Sequence, residues 1–249
     1  MVEKVIESFE NYISKYDKSI MEISLKYNHS YEVMKLMGEL AFRLGFDKEK
    51  IELARVIGLL HDIGRFEQFM KYHELSDKYS DHADFGCHYL FDDYHIRDFG
   101  INEDTKEAKI IEKAIKYHNK LSIPTDLLED ELLFVKMIRD MDKVDIYHQK
   151  AVNYNYIFNA SEVTEKVLND FKDEKSIDSK YVNSKSDSII GTLAFIFDIN
   201  FDESFDILVE TDNFDLFLSM IEVDENSEKL WKKIREICFD KINRGVSYE

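Results

Sequence analysis

Turn-forming residues are scarce in this chain: proline occurs once, at Pro124, and glycine only eight times among 249 residues. Sheets and tight hairpins depend on such residues at their turns, so the scarcity favours helices joined by short loops. Apolar residues also recur at i, i+3 and i+4 along most of the chain, which is the spacing of an amphipathic helix. The sequence therefore predicts an all-α fold.

The apolar spacing also predicts where several helices end. One stripe runs from Val33 to Leu44 and ends at Gly45, and the next begins at Ile51 and ends near Gly64. Residues 188–201 form the most apolar run, which could read as a strand, although its length favours a buried helix. Residues 170–187 are predicted to form a loop. We predict one all-α domain over residues 1–249, with a catalytic or binding core at 20–150 and a helical C-terminal extension at 151–249.

The charge of the chain limits its partners. Lysine and arginine number 33 against 51 aspartates and glutamates, which gives a formal net charge of −18. Such a surface repels polyphosphate chains and anionic membranes, so neither a DNA or RNA polymer nor a membrane is an expected partner. A small anionic substrate would need local positive charge, and a bound cation is its simplest source.

The compartment can also be predicted. Cys87 and Cys238 lie far apart and outside any Cys-x-x-Cys pattern, which fits a reducing environment better than a disulfide scaffold. The acidic first residues lack the features of a signal peptide, and no apolar run approaches the ~20 residues that cross a bilayer. These observations predict a cytoplasmic protein.

Several polar side chains continue the apolar faces of predicted helices. The positions at helical spacing from small or apolar residues are His29, His61, His82, His118 and Asp142. A single histidine on an apolar face is more often a core residue bonded to a carbonyl group. Ionised carboxylates, however, are almost never buried without a cation or a strong partner. Histidines converging with Asp62 and Asp142 therefore indicate a metal ion in the core of a helical bundle.

The donor types restrict the metal. Imidazole and carboxylate groups without a thiolate suit Mn, Fe, Co, Ni or Zn. His61 and Asp62 lie about 100° apart around a helix, so they can contact one ion from two sides, or Asp62 can bridge two ions. The sequence predicts one or two divalent ions.

The order of these residues resembles that of a known family. His29, the doublet His61–Asp62 and Asp142 in "RDMDKVD" resemble the HD superfamily of metal-dependent phosphohydrolases. The segments "HADFG" at 82–86 and "AIKYHNK" at 114–120 resemble its dinuclear branch, which has two additional histidines. The resemblance covers roughly residues 25–150 and implies an all-α domain of the HD type with the metal site in the bundle core.

The resemblance also implies residue roles. The first ion would be bound by His29, His61, Asp62 and Asp142, and Asp62 would bridge to a second ion bound by His82 and His118. Asp62 and Arg65 are the predicted catalytic residues, and Arg65, Asn119 and Lys143 are the predicted substrate-binding residues. The implied reaction is hydrolysis of a phosphoester or phosphoanhydride bond by metal-activated water. The implied substrate is a small phosphorylated molecule, most naturally a nucleotide or dinucleotide.

The chain departs from two groups of enzymes within this family. HD-GYP phosphodiesterases have a second histidine where this chain has Asn119, and no Gly-Tyr-Pro occurs in the chain, which argues against cleavage of cyclic di-GMP. The segment at 114–120 is closer to bacterial diadenosine tetraphosphate hydrolases of the HD class, although Arg65 replaces their lysine. A diiron oxygenase on the same scaffold and a non-catalytic nucleotide sensor are the alternatives. The sequence leaves the oligomeric state open.

Overall fold

The computed structural model describes residues 2–77, 79–153 and 156–246, and helices account for most of them. The predicted all-α class is confirmed. The chain divides into two compact units, Met1–Asp142 and Lys143–Glu249. The interpretation of residues 1–249 as one domain, with a core at 20–150 and an extension at 151–249, stays a prediction.

The first unit contains the helices that carry the predicted site. They are Val2–Ile13 (α1), Met21–Arg43 (α2), Lys48–Leu60 (α3), Gly64–Tyr72 (α4), His82–Cys87 (α5), Lys106–Tyr117 (α6) and Glu129–Asn153 (α7), of which α7 continues into the second unit. A short π-helix at His88–Asp92 and a 3-10 helix at His95–Phe99 lie between α5 and α6.

Capping side chains and one glycine set the ends of these helices. The Asp47 carboxylate accepts a bond from the Lys50 N–H at 2.9 Å and begins α3, and the Thr105 hydroxyl accepts from the Ala108 N–H at 3.2 Å and begins α6. Such caps satisfy N–H groups that have no partner inside the helix. Gly45 follows α2 with φ +72°, a conformation that glycine adopts without steric cost. The predicted end of this helix is confirmed.

The core of the first unit forms where α3 packs against α1, α2 and α6. Its fully buried side chains include Phe9, Val33, Met37, Leu40, Ile57, Phe66 and Ile111. The α2 and α3 backbones meet closely at Gly58, where a Cβ would lie 2.7 Å from the Val33 carbonyl oxygen and 2.8 Å from the Met34 Cα. Each fully buried large apolar side chain contributes about 1.5–3 kcal/mol, so this packing fixes α2 against α3.

The second unit is also helical. Its further helices are Glu165–Lys172 (α8), Lys185–Leu193 (α9), Asp202–Glu210 (α10), Asn213–Ser219 (α11) and Glu228–Gly245 (α12). The apolar run at 188–201 forms the end of α9 and a 3-10 helix at Ala194–Asp198, so the strand reading is wrong. The predicted loop at 170–187 is shorter than expected, because α8 extends to Lys172 and α9 begins at Lys185.

One element of the second unit was not predicted. Strands Tyr156–Phe158 (β1) and Ile221–Val223 (β2) pair in parallel, with Tyr156 opposite Ile221 and Phe158 opposite Val223. A strand of three residues is too short to show an alternating pattern, and its partner lies far along the chain. The sequence therefore carries no local signal for this pair.

Two observations bear on the predicted environment. Cys87 and Cys238 are both free thiols. Within the part of the chain that the structure describes, no helix has the length and apolarity that crossing a membrane requires. The cytoplasmic location stays a prediction.

Candidate metal centre

The six predicted metal ligands converge in the interior of the first unit. His29 comes from α2 and Asp142 from α7, while the remaining four lie at or beside helix ends: His61 and Asp62 after α3, His82 at the start of α5, and His118 directly after α6. The four histidines and Asp62 are each at most 3% exposed, and the Asp142 side chain is 13% exposed. The helical packing therefore places six polar side chains in one buried volume.

One group of donors surrounds the first predicted metal position. The Nε2 atoms of His29 and His61 lie 3.1 Å apart. Asp142 Oδ1 lies 3.1 Å from the first of these nitrogens and 3.6 Å from the second. Asp62 Oδ2 lies 3.5 Å and 3.7 Å from the same two atoms. Two imidazole nitrogens and two carboxylate oxygens thus face a common centre.

A second group surrounds the other predicted position. The Nε2 atoms of His82 and His118 lie 2.9 Å apart, and Asp62 Oδ1 lies 3.1 Å and 3.7 Å from them. The two carboxylate oxygens of Asp62 therefore face two different histidine pairs. This geometry is the one expected of a carboxylate that bridges two ions.

Backbone carbonyl groups fix the protonation of two of the rings. His61 Nδ1 lies 2.7 Å from the Gly58 carbonyl oxygen, and His118 Nδ1 lies 2.7 Å from that of Ile115. A carbonyl oxygen only accepts, so both Nδ1 atoms carry hydrogen, and in the neutral form of each ring the lone pair of Nε2 points into the cluster. Burial lowers the pKa of His118 to about 4, which favours this neutral form near pH 7.

The two carboxylates remain ionised despite their burial. Desolvation alone would raise the pKa of Asp62, but Lys26 and the neighbouring histidines hold that pKa well below its usual range. Burial likewise opposes ionisation of Asp142, but the neighbouring His29 and His61 together hold its pKa well below its usual range. The cluster thus combines anionic oxygens with imidazole lone pairs.

This donor set fits one or two divalent ions. Nitrogen ligands about 2.0–2.1 Å from a zinc-sized ion lie roughly 2.8–3.4 Å apart at bond angles near 90–109°. The His29–His61 separation of 3.1 Å and the His82–His118 separation of 2.9 Å both fall within that range. The grouped donors each offer one atom within 4.8 Å of the others. Imidazole nitrogens and carboxylate oxygens at such distances are able to share a cation.

The comparison with protein families agrees with this geometry. Residues 27–147 match the family model described as the HD domain. This segment is an HD domain. All six clustered residues lie within it, and the family consists mostly of metal-dependent phosphohydrolases. Comparisons with curated proteins and with solved structures found no match.

A charged residue directly before the HD domain was not among the predicted site residues. Lys26 donates from Nζ to Asp62 Oδ2 at 2.8 Å, and its side chain is only 12% exposed. It lies three residues before His29 on α2, so helical spacing places both side chains on the same face. The spacing of three residues from His29 is the sequence signal by which Lys26 could have been identified. The ammonium group adds positive charge at the carboxylate that faces both histidine pairs.

Asp77 was also missed. Its carboxylate accepts a bond from His82 Nδ1, with 2.8 Å to Oδ1 and 3.0 Å to Oδ2. Oδ1 also accepts from Arg65 Nη1 at 2.9 Å and from Gln68 Nε2 at 3.0 Å. Burial opposes ionisation, but the His82 contact and the Arg65 charge lower the pKa of Asp77. Metal-ligating histidines commonly donate their other N–H to such a carboxylate, which fixes the ring.

The predicted substrate-binding residues have protein partners in this structure. Arg65 donates to Asp77 and to the Leu75 carbonyl oxygen, the latter at 3.1 Å. Asn119 donates from Nδ2 to Asp81 Oδ1 at 3.0 Å. Lys143 pairs with Asp198 at 2.7 Å within the second unit. The roles of Arg65, Asn119 and Lys143 in substrate binding, and of Asp62 and Arg65 in catalysis, stay predictions.

A buried arginine anchors the end of the HD-domain helix that precedes His118. Arg139 is 3% exposed and donates from Nη1 to the carbonyl oxygens of Tyr117 at 3.0 Å and His118 at 3.3 Å, and to that of Lys120. These carbonyls have no partners inside the helix because α6 ends there. Arg139 therefore holds the backbone of a candidate ligand.

Proposed function

We propose that the HD domain hydrolyses a phosphoester or phosphoanhydride bond in a small phosphorylated substrate, with a nucleotide or dinucleotide as the substrate class. The observation that carries the proposal is the position of Asp62, whose two oxygens face two imidazole pairs at 3.1–3.7 Å. One or two divalent ions bound there would acidify water and clamp phosphoryl oxygens, which phosphate hydrolysis requires.

The chain's own residues would hold and orient the reacting groups. The histidine Nδ1 bonds to Gly58, Ile115 and Asp77 keep the rings in place, so little reorganisation is needed when a ligand binds. Lys26 supplies a cation beside Asp62, and an ammonium group is a suitable partner for a phosphoryl oxygen. This local positive charge is what an anionic substrate needs in a chain of net charge −18.

The proposed substrate class rests on the burial of the site and on the resemblance at 114–120. Five of the six clustered side chains are at most 3% exposed, which favours a terminal or linking phosphate of a small molecule over a polymer backbone. The acidic chain also disfavours a polymer.

Phosphate release from a panel of nucleotides and dinucleotides tests the proposal. The wild type is assayed anaerobically with Mn²⁺, Fe²⁺ or Co²⁺, beside Asp62→Asn and the control Asp93→Asn, a half-exposed carboxylate near His88. We expect release by the wild type and the control, and none by Asp62→Asn, because the amide provides only one oxygen and no charge.

Two results would count against the proposal. Turnover by Asp62→Asn at the wild-type rate would show that Asp62 has no role in the reaction. Oxygen consumption by the iron-loaded protein, without phosphate release from any nucleotide, would instead support the diiron oxygenase.

A further inference from the structure

His82 differs from His61 and His118 in what orients its ring. Those two rings donate from Nδ1 to a carbonyl group three residues earlier in their own helices. His82 is the first residue of α5, and its ring donates instead to Asp77, a side chain in the preceding loop. The orientation of this ring therefore depends on a loop carboxylate.

From this difference we infer that Asp77 is a positioning residue that controls occupancy of the second metal position, formed by His82, His118 and Asp62. The inference rests on the proposed function only through metal binding. A carboxylate is a stronger acceptor than a carbonyl, so it raises the basicity of the imidazole that it holds.

Asp77 is itself held in place from several directions. Its Oδ1 accepts bonds from the His82 backbone N–H at 3.2 Å, from Arg65 and from Gln68. Gln68 is fully buried and also donates from Nε2 to the carbonyl oxygens of Ser76 at 3.1 Å and Ser80 at 2.7 Å. These bonds attach the loop to α4, which begins two residues after Asp62. The Asp77 carboxylate is thus fixed relative to α4 and relative to the His82 ring that it orients.

This arrangement gives Arg65 a role other than phosphate binding. Its Nη1 is within bonding distance of Asp77, Gln68 and the Leu75 carbonyl oxygen, at 2.9–3.1 Å. Its Nε lies 3.7 Å from Asp62 Oδ1, the oxygen that faces the second position. Through these contacts the Arg65 guanidinium group holds the loop that contains Asp77 in place beside His82.

The effect should be confined to one of the two positions. The first position takes its rings from His29 within α2 and from His61, whose Nδ1 partner is the Gly58 carbonyl oxygen. Its carboxylates are Asp142 of α7 and the shared Asp62. Loss of the Asp77 charge should therefore weaken binding of the second ion and leave the first bound.

Titration of the chelator-treated full chain with Mn²⁺ tests this inference, with bound metal counted by elemental analysis and spin coupling followed by EPR. We expect two ions and a coupled signal in the wild type. Asp77→Asn should keep one tightly bound ion, lose the coupled signal and bind the second about 10–100-fold more weakly. Asp84→Asn is the matched control, because it removes a carboxylate of α5 that pairs with Lys120 at 3.2 Å.

The titration separates this inference from the proposed function. Wild-type affinity of Asp77→Asn for both ions, equal weakening of both ions, or a wild type that binds a single ion would overturn the inference. Two ions in the wild type without hydrolysis of any substrate would overturn the proposed function alone. Arg65→Gln, which removes a partner of Asp77 and nothing that touches the His82 ring, should lose the second ion partially and provides the test if Asp77→Asn fails to fold.

Discussion

Lys26 and a metal ion would compete for the same oxygen of Asp62. The ammonium group lies 2.8 Å from Oδ2, which also faces His29 and His61. Without a bound ion, Lys26 at 2.8 Å is a closer compensating cation for this buried carboxylate than Arg65 at 3.7 Å. We therefore expect Lys26→Met to lower the free energy of unfolding by about 3–5 kcal/mol in the presence of a chelator. The loss should be smaller with Mn²⁺ bound, as measured by urea denaturation in both conditions.

A second lysine provides the control for that comparison. Lys120 pairs with Asp81 at 2.6 Å, but both side chains are more than a quarter exposed. Lys120→Met should therefore cost at most about 1 kcal/mol, equally with and without metal. If Lys26→Met lost the same stability in both conditions, its ammonium group would not compete with the ion.

At the level of single residues, the sequence identifies donors better than it identifies the groups that hold them. The positions of His29, His61, His118 and Asp142 could be predicted because each continues an apolar helical face. Asp77 could not, because it lies in a loop where no periodicity operates. A lysine such as Lys26 is usually solvated, so its spacing from His29 carries meaning only once a buried carboxylate partner is known.

At the level of helices, Gly64 allows α4 and α5 to approach. A Cβ at this position would overlap the His82 carbonyl oxygen and the Gly86 backbone nitrogen. Gly64→Ala must therefore displace the start of α5, and overpacking of this kind costs about 1–3 kcal/mol. We expect lower stability in urea and, because His82 moves with α5, weaker binding of the second Mn²⁺ ion.

Gly191→Ala tests whether any added methyl group has these effects. Gly191 lies in α9, and its nearest neighbours would be 3.9 and 4.0 Å from the new Cβ. Alanine is favoured over glycine within a helix, so this variant should gain about 0.5–1 kcal/mol and bind Mn²⁺ unchanged. A Gly64→Ala protein with normal stability and normal affinity for the second ion would mean that α5 adjusts without moving His82.

The elements themselves show which parts of a fold are readable from sequence. The end of α2 follows from Gly45, and the starts of α3 and α6 follow from Asp47 and Thr105, because caps and breakers are local chemistry. The β1–β2 pair could not be predicted, since its six residues gain their partners only after the chain folds. Likewise, α4 ends at His73 in the left-handed conformation, with φ 56°, and the residue types at this position do not predict it.

For the whole molecule, the net charge of −18 should govern the encounter with an anionic substrate. Lys26 acts only locally, whereas repulsion from the acidic surface extends over the Debye length, which is about 30 Å at 0.01 M salt and 8 Å at 0.15 M. Added salt should therefore raise kcat/KM for a nucleotide substrate, because screening lowers the free energy needed to bring the anion to the site.

The size of this salt effect should depend on the charge of the substrate. With a non-coordinating salt and saturating Mn²⁺, the slope of log kcat/KM against the square root of ionic strength should be positive and steeper for a substrate with more phosphates. A neutral osmolyte at equal viscosity is the control and should have no such effect. A negative slope would mean that attraction by the positive charge around the metal centre outweighs repulsion by the acidic surface. The bound ions and Lys26 would then accelerate the encounter with the substrate.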